Sequence, residues 1–283
     1  MNQDGVEGIT GAEVADGIDG CVKAVRRQIG AGADWIKALN RSDYRVRSRM
    51  AGVSSVAGKS IATFSDQELE TIIKTAHSYG VKVAAHATNE DTIQILLDLG
   101  VDSIEHGVEI DIKKIRGNLK WAPTLAAFYT SGGENSDVWK HAKNAFQRAV
   151  EAGFDNIVCG GDTGVFAHGE NALEMQLMVN LGADWKKVLR WGTLGGWECV
   201  RSTGWEGEAG AKRLSRVVEL KEDWRVVGDN EVPFGAIRKG FAADIIATSG
   251  DFEHDFGGAV AASSIIFVMK AGRVHKQDGI KIV

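Results

Sequence analysis

The chain has 283 residues, of which 44% are hydrophobic and 25% charged, so it can bury a core in one large domain or in one domain with an appendage. Its net charge of −5 is spread along the sequence without a basic cluster, which argues against nucleic acid as a partner. No apolar run approaches the ~20 residues that cross a membrane, and the first residues are polar and acidic, so we expect a cytoplasmic protein with no membrane partner.

The first elements in chain order are a helix and a short strand. Residues 16–30 carry an apolar stripe on one helical face, and the Gly-Ala-Gly stretch at 30–32 ends the helix. Residues 33–39 then read as a strand interrupted by a single lysine, Lys37. The stretch 40–62 is rich in Arg, Ser and Gly without a stable period, which predicts a long loop of the kind that often carries function.

The next elements form a strand–helix–strand unit whose two strands both end in histidine. Ser65 and Glu68 make a capping box, which predicts a helix to about Tyr79. A strand ending at His86 follows, then a helix closed by a glycine at position 100, then a strand ending at His106. Because parallel neighbours end at the same rim of a sheet, we expect the two imidazoles at one rim.

The remaining residues continue the alternation and then change character. We predict, in order, a weak helix at 111–117, a strand at 119–125, a helix at 137–152, a strand at 155–162 and helices at 171–181 and 184–201. Short strands with glycine turns over 235–247 and 263–274 indicate a small β appendage. The predicted domains are therefore a partial (β/α) barrel catalytic domain at 1–204 and a β-rich appendage at 205–283 that packs on it.

Four of the five predicted strands end in a residue that suits a metal site: Lys37, His86, His106 and Asp162. Imidazoles and a carboxylate are ordinary ligands of zinc or a similar divalent ion, and a catalytic site keeps one position open for water. A lysine can bind a metal in such a site only as a carbamate, because the two carbamate oxygens on its nitrogen then act as ligands. The ordinary alternatives are hydrogen-bonded rim histidines and a lysine that is salt-bridged to Asp162 or Glu105.

At this point the sequence resembles the amidohydrolase superfamily of metal-dependent hydrolases, in particular its imidazolonepropionase and prolidase-like branch. The resemblance covers most of the chain from about residue 16. The motifs that carry it are GADWIK at 32–37, VAAHA at 83–87, SIEHG at 103–107, GDTGVFAHGEN at 161–171 and GAIRKGFAAD at 235–244.

The resemblance implies roles residue by residue. Lys37 would be the carbamylated lysine of barrel strand 4, bridging two metals, and His86 and His106 would be the strand 5 and strand 6 ligands of one metal. Asp162 would be the strand 8 carboxylate, which accepts a proton from the attacking water and passes it to the leaving group. Residues 235–274 would belong to the β-sandwich that flanks the barrel.

One departure from the family pattern changes these implications. The sequence contains no His-x-His pair, which in the family lies on the first strand, and it begins roughly where the third βα unit would end. We therefore expect an incomplete or modified TIM-type barrel, equivalent to strands 4–8, whose open edges need cover. That cover would come from a second copy in a homo-oligomer, from residues 1–15 and 40–62, or from a longer parent chain. The ligands that remain suffice for one divalent ion at most, zinc being expected, or for none.

The expected function is hydrolysis of an amide, lactam or ester bond of a small molecule by metal-activated water, with Asp162 as general base. The alternatives are a metal-free isomerase, cyclase or lyase that uses the same pocket, and a catalytically silent subunit. His168 is a second catalytic candidate, although a solvated loop histidine fits its position equally well. Tyr44, Arg45 and Trp121 are candidate substrate contacts, with a solvated loop and a core tryptophan as the corresponding alternatives.

Overall fold

The computed structural model describes residues 13–38, 63–219 and 232–282. The chain forms two compact units, Met1–Leu119 and Lys120–Val283. Across the described ranges, no helix is both long and apolar enough to cross a lipid bilayer. All three cysteines lie in these ranges and none of them forms a disulfide.

The first unit alternates helices and parallel strands. In chain order its elements are α1 (Gly17–Gly30), β1 (Trp35–Ala38), α2 (Asp66–Ser78), β2 (Lys82–Ala87), α3 (Glu90–Asp98), β3 (Ser103–His106) and a short 3-10 helix at Ile112–Lys114. Strand β2 lies between β1 and β3 and pairs with both in parallel, with Lys37 opposite Ala84 and His86 opposite Glu105. The predicted strand–helix–strand unit is thereby confirmed.

Local sequence signals explain where these helices begin. The Ser65 hydroxyl accepts the backbone N–H of Glu68, and the Glu68 carboxylate accepts the N–H of Ser65 at 2.8 Å, which completes the predicted capping box. Asn89 caps α3 by accepting the N–H groups of Asp91 and Thr92. Alternate residues of β2 and one face of α2 are buried together as the core of this unit: Leu69, Ile72, Ile73, Ala76, Val83, Ala85 and Ala87.

The second unit is mainly helical and ends in an antiparallel sheet. Its elements are β4 (Lys120–Ala122), α4 (Leu125–Gly132), α5 (Asp137–Glu151), α6 (Ala172–Asn180), α7 (Trp185–Gly192), α8 (Leu194–Val200), α9 (Gly207–Arg216), β5 (Ile245–Thr248), α10 (Phe256–Val260), β6 (Ile265–Lys270), β7 (Arg273–Gln277) and β8 (Ile280–Lys281). Strands β5 to β8 pair antiparallel in sequence order, so the predicted β structure near the C-terminus is present.

Two sequence predictions in this unit were wrong in detail. The strand expected at 155–162 is only an isolated parallel bridge between Trp121 and Ile157, and Asp162 at its expected end has a left-handed φ of +61°, which an extended strand does not contain. The helix expected at 184–201 is interrupted at Thr193, whose φ of −122° and ψ of −95° separate α7 from α8.

A helix also lies where the sequence predicted only β structure. In α9, a Cβ built on Gly210 would be 2.0 Å from the carbonyl carbon of Trp205, so only glycine allows this helix to pack so closely on the preceding turn. In the sequence the same glycine looks like a turn signal. Trp205 in turn meets Trp197 edge to face at 5.6 Å, and with Val217 these side chains form a buried cluster.

Candidate active site at the ends of the parallel strands

The two predicted histidines meet at the ends of β2 and β3. The ring centroids of His86 and His106 are 4.3 Å apart with an interplanar angle of 65°. Strict strand alternation would put His106 on the face opposite Glu105, whereas His86 lies directly across from Glu105 and shares its face. His106 reaches its neighbour because its backbone is left-handed, with φ +73°, which turns the side chain out of the alternation.

Lys37 joins the same face through an ion pair. Its Nζ lies 3.8 Å from Oε2 of Glu105, two strands away. The contact crosses Ala84, which pairs with Lys37 on one side and with Ser103 on the other, and whose small side chain leaves the space open. The Ser103 hydroxyl donates to Oε1 of Glu105 at 2.6 Å and fixes the carboxylate. The salt-bridged alternative for Lys37 is therefore what this structure contains, with Glu105 as the partner.

These side chains do not by themselves make a metal centre. Within the described ranges, no three His, Cys, Asp or Glu side chains are grouped so that they could hold a metal ion. His86 and His106 supply two imidazoles, one short of the three protein ligands usual at a catalytic zinc. A carbamate on Lys37 would place a second negative charge beside the Glu105 carboxylate at the observed 3.8 Å. The donor set in this part of the chain therefore does not fit a metal ion on its own.

The other predicted site residues are distributed as follows. Asp162 and His168 are both exposed and lie in the loop that precedes α6 in the second unit. Trp121 is 1% exposed and packs toward Phe146 with the ring centroids 6.5 Å apart, which favours the core alternative over the substrate contact predicted for it. Tyr44 and Arg45 fall outside the described residues.

The second unit contains a buried carboxylate, Glu174, that was not predicted from the sequence. Glu174 of α6 is 1% exposed, and its two oxygens accept the N–H groups of Leu125 at 3.1 Å and Ala126 at 2.7 Å, at the start of α4. Burial raises the pKa of Glu174 to about 7, against the lowering effect of these two hydrogen bonds. The signal was available, since this is a lone carboxylate within the apolar stretch 172–179.

Left-handed backbone marks the ends of the strands. In the described part of the chain five non-glycine residues have positive φ: His106 at 73°, Thr124 at 52°, Asp162 at 61°, Ala271 at 54° and Asp278 at 50°. Such conformations cost of order 1–3 kcal/mol each and persist where the surrounding structure over-determines them, typically at functional sites. Two of these five residues, His106 and Asp162, are catalytic or metal-binding candidates predicted from the sequence.

Comparison with known proteins shows which sequences and folds this chain is similar to. No protein-family model matches the chain. Ochratoxinase of Aspergillus niger is 26% identical over 284 residues, covering 94% of this chain and 51% of that protein. Its crystal structure superposes with a TM-score of 0.68 at 24% identity, covering 94% of this chain and 56% of that one.

Two further solved structures share the fold. A Xaa-Pro dipeptidase with methionine bound in its active site gives a TM-score of 0.69 at 23% identity, covering 97% of this chain and 63% of that one. An amidohydrolase gives a TM-score of 0.67 at 22% identity, covering 94% and 60%. The chain spans about half the length of the curated relatives it matches. The chain therefore shares its fold with these solved structures and is similar in sequence to ochratoxinase.

Proposed function

We propose that the chain acts in the hydrolysis of an amide bond of a small molecule. The observation that carries the proposal is the pair His86–His106, which lies with Lys37 at the ends of parallel strands in a fold shared with a dipeptidase, an amidohydrolase and ochratoxinase. These relatives supply the bond type, and the partly buried imidazoles with the exposed Lys37 at the strand ends supply the donors that a carbonyl needs.

The proposed chemistry assigns a role to each group. Water attacks the scissile carbonyl carbon and loses a proton to the carboxylate of Asp162, which then passes that proton to the leaving nitrogen as the C–N bond breaks. The side chains of His86, His106 and Lys37 are the donors that bind the oxygen on which negative charge develops. His168 is proposed to contact the substrate from the same loop as Asp162.

The TIM-type barrel belongs to this proposal. We propose that the parallel strands correspond to strands 4–8 of such a barrel and that a second copy of the chain covers its open edges in a cytoplasmic homo-oligomer. Light scattering tests this part, and a monodisperse monomer at micromolar concentration contradicts it.

One observation favours the second function that the sequence left open. Because Lys37 is paired with Glu105 and the described residues bring only two imidazoles together, the site is also suited to metal-free acid–base chemistry such as isomerisation, cyclisation or elimination. The two functions differ in whether a C–N bond is broken with uptake of water.

Product analysis on a panel of amides separates them. The panel contains Xaa-Pro dipeptides, N-acyl amino acids and ochratoxin, and incubation in 18O-labelled water shows whether water oxygen enters the carboxylate product. We expect Asp162→Asn and His86→Ala to lower kcat by about a hundredfold or more. His141→Ala, which alters an exposed histidine on α5, is the matched control and should leave kcat unchanged. Equal activity of Asp162→Asn and the wild type contradicts the assignment of the base.

A further inference from the structure

A single aromatic side chain is buried in the loop that carries Asp162 and His168. We call residues 162–171 the Asp162 loop. Phe166 is 8% exposed, whereas the other nine residues of the loop are exposed. Burying a phenylalanine is favourable because its apolar surface is removed from water, so this residue fixes the middle of a segment that otherwise faces solvent.

Phe166 rests on Gly161, the residue directly before the Asp162 loop. A Cβ built on Gly161 would lie 2.8 Å from Cζ of Phe166 and 3.5 Å from Cβ of Ala126, so the ring occupies the space that any larger residue would fill. Gly161 has no positive φ, and the need for glycine here is therefore one of space and not of backbone conformation. The seat of the ring consists of the Gly161 backbone beside the first turn of α4.

The far end of the loop is tied to the same place. Helix α6 begins at Ala172, directly after the loop, and its Glu174 accepts the N–H groups of Leu125 and Ala126 in that first turn of α4. The loop is thus held at its beginning by the chain at Gly161, at its end by Glu174, and in its middle by Phe166.

The hydrogen bonds within the Asp162 loop are longer than those that Glu174 accepts from Leu125 and Ala126. Gly164 N–H reaches the carbonyl of Phe166 at 3.3 Å, and Val165 N–H reaches the carbonyl of Asp162 at 3.4 Å. Distances of this size are at the weak end for N–H···O bonds. The buried ring of Phe166 therefore adds an apolar contact to weak hydrogen bonds in the segment that begins with Asp162, whose backbone is left-handed.

We propose that Phe166, seated on Gly161, is a positioning residue that fixes the Asp162 loop and so sets the placement of Asp162 and His168. The inference rests on the proposed function only for its catalytic consequence, since the anchoring itself is measurable without a substrate.

Hydrogen–deuterium exchange of the full chain tests the anchor. In Phe166→Ala we expect the amides of residues 163–170 to exchange about tenfold faster or more, while those of the parallel strands in the first unit are unchanged. Phe166→Leu, which keeps an apolar side chain, should restore most of the protection. Gly161→Ala should act like Phe166→Ala, because the added methyl displaces the ring. Val165→Ala is the matched control, since Val165 is 44% exposed in the same loop, and it should exchange as the wild type does.

Exchange in Phe166→Ala equal to that of the wild type, or an equal effect of Val165→Ala, overturns the anchor whatever the activity. With an amide substrate that the wild type hydrolyses, Phe166→Ala should lower kcat by about tenfold or more with a smaller change in KM, and Phe166→Leu should recover it. Unchanged kcat despite faster exchange overturns the positioning role. A wild type that hydrolyses no amide refutes the proposed function alone, because the exchange result still decides the anchor.

Discussion

Replacing Glu174 by Gln should remove a specific pH dependence from the stability of the second unit. The folded-state pKa of this buried carboxyl is raised to about 7 from an ordinary value of 4.5, because burial disfavours the charged form. A raised pKa means that the folded state holds a proton that the unfolded state has lost. The wild type is therefore fully stabilised below pH 4.5 and loses stability as pH rises to about 7.

The size of this effect follows from the shift. Two and a half pKa units at ~1.36 kcal/mol each give about 3 kcal/mol between pH 4.5 and 7, with no further change above that. Gln does not titrate, and its amide leaves one of the two N–H groups of Leu125 and Ala126 poorly paired, which lowers stability by an amount that is the same at every pH. This constant loss does not affect how the difference in stability between Glu174→Gln and the wild type changes with pH.

Urea unfolding followed by tryptophan fluorescence measures the difference. We expect the stability of Glu174→Gln relative to the wild type to rise by about 3 kcal/mol from pH 4.5 to 8. Glu151→Gln, at the exposed end of α5, is the matched control, and its difference from the wild type should be small at each pH. If the curves for Glu174→Gln and the wild type run parallel over this range, the carboxyl is ionised in the folded state and the reasoning fails.

Two further predictions concern metal and packing. If a zinc ion completes the site with donors beyond the described residues, elemental analysis should find about one equivalent in the wild type and in His141→Ala, and much less in His86→Ala. Equal metal content in all three contradicts the assignment of His86 as a ligand. Gly210→Ala should destabilise the protein by about 1–3 kcal/mol in thermal unfolding, because its Cβ would overlap the Trp205 carbonyl at 2.0 Å. Gly196→Ala in α8, where the nearest atom is 3.9 Å away, should instead be neutral or stabilising by about 0.5–1 kcal/mol.

Sequence signals predicted the elements whose causes are local. The capping box at Ser65 and Glu68 fixes the start of α2, and the apolar runs before His86 and His106 become paired strands with both imidazoles at one end. These features depend on neighbours along the chain, so periodicity and capping rules find them.

The features that the sequence did not predict depend on contacts between distant residues. The interruption at Thr193 and the close packing of Gly210 on Trp205 are set by tertiary neighbours that no window of sequence shows. The same holds for Glu174, whose partners are 48 and 49 positions away. The only sign of its burial in the sequence is that it is a lone carboxylate among apolar residues. An ordinary helix with one polar position shows the same pattern, so burial could not be predicted from it.

The ion pair of Lys37 with Glu105 at the strand ends limits how a metal ion or a substrate can bind there. Lys37 pairs with Glu105 across the small side chain of Ala84, so an ammonium is held on the face that His86 and His106 also reach. A substrate carbonyl would meet a cation and two imidazole donors there. A metal ion that took Lys37 as a carbamate would first have to break the pair with Glu105 and to counter two neighbouring negative charges. We therefore expect Glu105 to influence whether Lys37 binds a metal ion as a carbamate or a substrate carbonyl as an ammonium. Glu105→Gln, which removes the charge and keeps the shape, should raise metal uptake if a carbamate forms and should lower amide hydrolysis if the ammonium is the working form. A variant that changes neither would show that Lys37 takes no part in the site.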